Sequence, residues 1–255
     1  MSTILVSPKS FVSLGGNEIA TAPVANMRND EPGMVWRANT TAPSFKVQLD
    51  GSEWDTVALV GLNVPASATI RIRAGASSAA VDGTSGLTVD QTFPAWTGTE
   101  PTNGALSFKL LAAKVTSPFV RIDIDSTGNP AGYVQAQRLV IGKRVVTDGV
   151  AVNAEQTFED MSNVEEGLGY TTVDRYGVRV GWKVTLEGIS DAAYYGNWYS
   201  FLRDVGSSKA FVFIPDDSVA YVQTQAVFGR IKSGARGTSP VADYNNVELS
   251  ILSVS

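Results

Sequence analysis

Apolar residues in this chain recur at every second position, in short runs cut apart by Gly, Pro, Ser, Thr, Asn and Asp. That periodicity commits most of the chain to β-strands. Phe45, Val47 and Leu49 share one face of the clearest run, and Ile70 and Ile72 alternate with outward Arg71 and Arg73. Residues 119–124 repeat the pattern with Arg121 and Asp123 outward, while Thr56–Val60 is nearly continuous and predicts a strand buried on both faces. Val134–Ile141 supplies another strand before Gly142. The stretch 75–104, rich in Gly, Ser, Thr and Pro, reads as loops around weak strands.

Beyond residue 150 the texture changes. Glu155 to Glu166 holds five acids (Glu155, Glu159, Asp160, Glu165, Glu166) and no base, and reads as a solvated loop or a short irregular segment. Arg175–Leu186 is a strong strand, with Val178, Val180, Trp182, Val184 and Leu186 on one face and Arg179, Lys183 and Glu187 on the other. One helix follows. Ser190 or Asp191 can cap it, Tyr194/Tyr195, Trp198, Phe201/Leu202 and Val205 recur at helical spacing, and Gly206 can end it. Gly196 costs about 1 kcal/mol against Ala inside such a helix, so packing must hold it. Strands are expected at Ala210–Ile214, Val219–Thr224, Gln225–Lys232 and Asn246–Val254.

Two absences restrict the chemistry. The 255 residues include no His and no Cys. Ser-His-Asp and Cys-His machinery, zinc fingers, disulfides and iron–sulfur clusters are therefore excluded. A catalyst would have to work with carboxylates, Lys, Ser/Thr or Tyr, so the chain is expected not to be an enzyme, and no cofactor is expected. The net charge of −5 is uneven: residues 1–148 carry 12 Lys+Arg and 12 Asp+Glu, residues 149–255 carry 8 and 13. An acidic half disfavours binding to phosphate backbones. The Asp148-Gly149 turn signal marks this change, dividing the chain into domains 1–147 and 148–255. The N-terminus lacks a basic region and a long apolar run, so no signal peptide is expected, nor a membrane-spanning segment.

Candidate sites are few. Asp123, Asp125, Thr127 and Gly128 fall at the first, third, fifth and sixth places of a calcium loop, but the twelfth is Val134, which cannot ligate. A pair among the 25 acids could serve a cell-wall glycosidase, yet nothing singles one out. Asp216-Asp217 after Pro215 fits a turn. Trp36, Trp54 and Trp96 could form a sugar-stacking platform, Trp36 and Trp96 being the candidate glycan contacts, though aromatic residues beside strands are usually core. The glycines, Gly15-Gly16 among them, lack the spacing of a phosphate cradle.

The run from Phe45 to Val64 with Ala68–Arg73, Phe119–Ile124 and Arg138–Gly142 resembles galactose-binding-like β-sandwich domains of the jelly-roll type, which occur in bacteriophage tail proteins. The later half is similar to the second domain of those tail proteins, through Tyr176–Trp182, Trp198–Arg203, Ala210–Asp216 and Val227–Ile231. The resemblance implies a mainly β chain: an N-terminal sandwich, then a tail-tube-like β-sandwich or barrel domain with one helix. It implies a virion structural protein, a distal-tail-like minor tail protein at the tail tip or baseplate of a long-tailed phage or phage-like particle. Such a subunit would form a homo-oligomeric ring of cyclic symmetry and contact the tail tube, hub and baseplate, with DNA only as passing cargo. Residues 150–255 would sit at the ring and 1–145 outside, and Glu155, Glu159, Asp160, Glu165 and Glu166 would form an acidic lumen or interface segment. The chain would be made in the host cytoplasm and reside in the virion. The alternative is a carbohydrate-binding module for a cell-surface glycan.

Overall fold

The computed structural model describes residues 2–97, 106–147, 150–218 and 220–254. The chain forms two compact units: Met1–Val146 with Phe211–Phe228, and Thr147–Ala210 with Gly229–Ser255. The first unit thus recruits a segment from late in the sequence that no composition shift announces. The Asp148-Gly149 turn lies outside the described residues.

Among the described residues, twelve strands precede the division: β1 (Ile4–Val6), β2 (Val12–Gly16), β3 (Trp36–Arg37), β4 (Ser44–Gln48), β5 (Trp54–Val60), β6 (Thr69–Gly75), β7 (Leu87–Pro94), β8 (Leu106–Val115), β9 (Phe119–Asp125), β10 (Gln135–Ala136), β11 (Arg138–Gly142) and β12 (Arg144–Val146). A five-stranded sheet runs β2-β4-β9-β6-β7, and a three-stranded sheet runs β11-β5-β8. One apolar cluster takes Phe45, Val47, Ile70, Ile72 and Ile122 from the first sheet and Trp54, Val57, Leu59, Leu111 and Ile141 from the second. The first unit is therefore a two-layer β-sandwich. All seven residues of β5 are buried, which explains its nearly continuous apolar run from Thr56 to Val60. In the other sheet β6 alternates over its first four residues, Ile70 and Ile72 inward and Arg71 half-exposed on the other face.

Of the stretch 75–104, residues 75–97 are more ordered than their composition suggests, and 98–104 lie outside the described residues. A short helix, Ser78–Asp82, is capped by Ser77, whose Oγ accepts from Ala80 N, and β7 pairs with β6 through seven residue pairs. Ser77 is the signal for that helix. At the N-terminus, β1 lies between β12 and β17 (Phe211–Ile214), with Ile4 opposite both Val146 and Ile214. The strand expected at Val219–Thr224 is instead a helical turn, Val222–Gln225. Its Gln223 amide donates to Ala95 O (2.9 Å) and accepts from Thr97 N (2.6 Å), so the recruited segment is stitched to the sandwich by a buried amide.

The second unit contains β13 (Val150–Asp160), β14 (Asn163–Gly167), β15 (Tyr170–Asp174), β16 (Val178–Ser190), β18 (Val227–Val241, from Gly229 onward) and β19 (Tyr244–Ser253). Its sheet runs β18-β19-β16-β13, all antiparallel, and β14 and β15 form a separate hairpin. Trp182, Val184 and Leu186 of β16 and Val247, Leu249 and Ile251 of β19 are buried, while Lys183, Glu187 and Glu248 are exposed. The acidic stretch from Glu155 to Glu166, expected as a loop or a short irregular segment, is strand on either side of a turn. Its side chains are exposed on both faces, so no apolar alternation marks it; β13 is ordered by its ladder to β16.

The expected helix spans 191–205. Ser190 Oγ accepts from Ala193 N at its start, and Gly206 follows its end with φ +48°. A π-helical stretch, Tyr194–Trp198, lies in its middle. Trp198, Phe201 and Val205 are buried, Tyr195 and Tyr199 exposed. No described helix is long and apolar enough to cross a membrane.

Candidate assembly surface

The exposed large apolar residues are not scattered. Of seventeen on the described surface, eight lie in 158–178: Phe158, Met161, Val164, Leu168, Tyr170, Val173, Tyr176 and Val178. The local fold accounts for this concentration. Phe158 stands opposite Val180 in the β13–β16 ladder, on the part of β16 N-terminal to buried Trp182. Val164 faces Val173 across the β14–β15 hairpin, and Gly169, with φ +86°, makes the turn that leaves Leu168 fully exposed (105%) at its tip. A two-stranded ribbon this small is marginal alone in water, and both strands of this one are exposed along their length. Solvated monomer surfaces rarely concentrate apolar residues in this way.

The five predicted acids divide between two settings. On β13, Glu159 meets Lys232 of β18 at 2.5 Å, and Glu155 is 3.9 Å from Lys183. Asp160 ends that strand, and the Ser162 hydroxyl and N–H hold its carboxyl below the usual aspartate range. Glu165 and Glu166 stand on β14 opposite Thr172 and Thr171, with no ion pair among the described residues. The acids therefore line an edge strand and a hairpin rather than converging on one point. No described cluster of three or more acids could hold a metal ion.

The other candidate residues are structural. Trp36 (0% exposed) and Trp96 (2%) are core, which corrects their reading as glycan contacts: neither offers a ring face to a sugar. Their indole N–H groups donate to Asn17 O (3.0 Å) and Val64 O (2.9 Å), and Trp36 packs edge-on against Phe45. Trp54 is equally buried, its N–H on Ser117 O. Asp123 is taken by Arg73 and Arg121, and Asp125 accepts from Thr127 N and Oγ1 in a tight turn, so the calcium-like spacing reflects a strand end. Asp216 accepts from Ser218, and Asp217 accepts from Ser2 N, as turn residues do.

The outer face of the five-stranded sheet carries a lattice of charge. Arg71 grips Asp90 with two bonds of 2.7 Å, and Arg73 reaches Asp123 at 2.8 Å. Arg121 spans Asp123 (2.9 Å) and Asp82 (2.7 Å), and Lys46 also binds Asp82 (2.8 Å). Asp82 and Asp90 are held below the usual carboxylate range by hydrogen bonds from Lys46 and Arg121 and from Arg71 respectively. These cations and anions are satisfied by one another.

Sequence reading missed the apolar residues of 158–178 as a functional feature. The signal was a set of large hydrophobics, among them Leu168 between two glycines, inside an acid-rich stretch with no strand periodicity.

No family model matches the chain, and no curated protein does. Among solved structures it is similar to the family 32 carbohydrate-binding module of Clostridium perfringens NanJ in complex with galactose, at 15% identity and TM-score 0.39, covering 54% of this chain and 98% of that one. It is also similar to a CBM32 module of a family 31 glycoside hydrolase from Clostridium perfringens, at 8% identity and TM-score 0.38, covering 54% and 96%. A truncated AlyQ with CBM32 and alginate lyase domains matches at 10% identity and TM-score 0.38, covering 98% of both chains. Those structures are named for carbohydrate-binding modules and nothing among them points to a tail protein. At such TM-scores the likeness carries no ligand or partner to this chain.

Proposed function

We propose that this chain is a non-catalytic structural subunit that assembles with other protein chains through its second unit. The concentration of exposed apolar residues in 158–178 carries this reading, because burial against a partner is what removes such a patch from water. Absent His and Cys support the non-catalytic part. By the sequence resemblance, such a subunit would sit at the tip of a phage or phage-like tail, where Glu155, Glu159, Asp160, Glu165 and Glu166 would keep passing DNA from adhering. Light scattering on the purified full chain tests assembly: a mass above the 27.0 kDa monomer supports it, and a monomer at every concentration rejects self-assembly. Immunogold labelling of particles tests the place, and gold anywhere but the tail tip rejects it.

A second reading is carbohydrate binding by the sandwich. One local observation favours it: half-buried Tyr133 lies under the Arg37 guanidinium (4.4 Å to the ring centre), and Arg37 is itself held by Gln135. This aromatic and polar group is of the kind that sugars contact. A glycan-array signal lost in Tyr133→Ala, with circular dichroism unchanged, supports it; a blank array with the native chain rejects it.

A further inference from the structure

Residues 155–174 and strand β18 of the second unit are unlike in charge, the acids of the β18–β19 hairpin, Asp243 and Glu248, lying on its turn and on β19. Residues 155–174 hold six acids and no base, whereas β18 (Val227–Val241) holds Arg230, Lys232 and Arg236 and no acid. Within its own chain Lys232 is already bound by Glu159, an acid from the first of these segments. Glu165 and Glu166 lack a countercharge across their ladder, and Arg236, opposite Glu248 in register, makes no ion pair among the described residues. Each hairpin also ends in exposed apolar residues: Leu168 and Tyr170 on one, Val241 and Tyr244 on the other. Leu168 touches nothing in its own chain, being fully exposed.

We infer that the chain associates head to tail with a second copy, the β14–β15 hairpin of one subunit seated along Lys232–Val241 of the next. One of Glu165 and Glu166, which point to opposite faces of β14, then faces Arg236, and the Leu168–Tyr170 tip packs on Val241 and Tyr244. The inference rests on the assembly reading above and names its partner and its surface. A second copy is the occupant because one chain carries both complementary surfaces, and a contact between unlike surfaces repeats until it closes into a ring or continues as a filament. The bulges that shift the β18–β19 register beyond Ile231, and Pro240, disfavour indiscriminate strand addition to β18, leaving side-chain charge to select the partner.

The test is charge exchange in the full chain, followed by analytical ultracentrifugation with circular dichroism as the fold control. Glu165→Lys/Glu166→Lys alone and Arg236→Glu alone should each weaken self-association by at least about tenfold. Mixing the two variants should restore it, since every hairpin then meets an opposite charge. Either variant assembling like the native chain, or a mixture that stays monomeric with both variants folded, overturns the inference while leaving the assembly reading in place. A native chain that never self-associates overturns it along with self-assembly.

Discussion

Arg138 and Asp30, 108 residues apart in sequence, form an ion pair at the edge of the sandwich core, with Nε 2.9 Å from Oδ1. Arg138 also donates through NH1 to Met27 O (2.6 Å), so one side chain of β11 holds the 3-10 turn Val24–Arg28 in place. Burial pulls the guanidinium pKa down, and Asp30 opposes that shift. Asp30→Ala leaves the cation buried without its partner, and should cost about 3 kcal/mol. A urea midpoint within error of the native value would show the pair to be dispensable.

Trp96 and Trp198 separate packing from hydrogen bonding. Both are buried, but Trp96 donates to Val64 O whereas Trp198 Nε1 has no partner among the described residues. Trp96→Phe should lose about 1 kcal/mol more than Trp198→Phe, the net worth of one hydrogen bond. Trp96→Ala should lose about 3–5 kcal/mol. Equal midpoint shifts for the two Phe variants would remove the hydrogen bond from the account.

Two glycines should respond in opposite directions. A Cβ on Gly142 would lie 2.3 Å from Ser7 O, a backbone atom that cannot swing aside, so Gly142→Ala should destabilise by about 1–3 kcal/mol. Gly196, in the π-helical stretch, has no atom within 4 Å of that position, and Gly196→Ala should stabilise by about 0.5–1 kcal/mol. Thermal melts of both decide this, and a destabilised Gly196→Ala would mean that the π-turn needs glycine.

Legibility followed burial. Strands β4, β5, β6, β9 and β16 each have a buried face or two, and their residues alternate or run apolar accordingly. The helix was readable because Ser190, Gly206 and the Trp198–Phe201–Val205 stripe all agree. β13 and β14 were not, since pairing without burial leaves no periodic trace. The tryptophans left core and glycan contact both open for a related reason, composition showing an aromatic ring but not which side of the strand it takes; burial settles all three as core. The return of Phe211–Phe228 to the first unit depends on pairing across more than 200 residues, Val6 to Val212 for example, which local pattern cannot reveal.

Acid should loosen the sandwich through its charged outer face. Hydrogen bonds from Lys46 and Arg121 hold Asp82 below its ordinary value of 3.8, and those from Arg71 do the same for Asp90. With the folded pKa depressed, the stabilisation is complete above the unfolded value. It is lost as pH falls from about 4 through the folded value. Asp90→Asn should flatten part of that slope, and high salt should flatten it further because both carboxylates are partly exposed. Urea midpoints across this range measure it, and an unchanged slope in Asp90→Asn would assign acid sensitivity to other groups.

Leu168 distinguishes an assembly surface from a packing surface. Its side chain is fully exposed in the single chain, so Leu168→Ser removes no intramolecular contact and should change monomer stability by less than about 0.5 kcal/mol. In an assembled state the same side chain would be buried, and losing it should weaken association by roughly 2 kcal/mol, or about thirtyfold. Val184→Ser makes the contrasting control, since Val184 is buried in the sheet of the second unit and its loss should unfold rather than disassemble. Sedimentation of both variants beside their melting curves gives the answer. Reduced association with an unchanged melt of the dissociated chain supports the surface, whereas unchanged association in Leu168→Ser removes the hairpin tip from it.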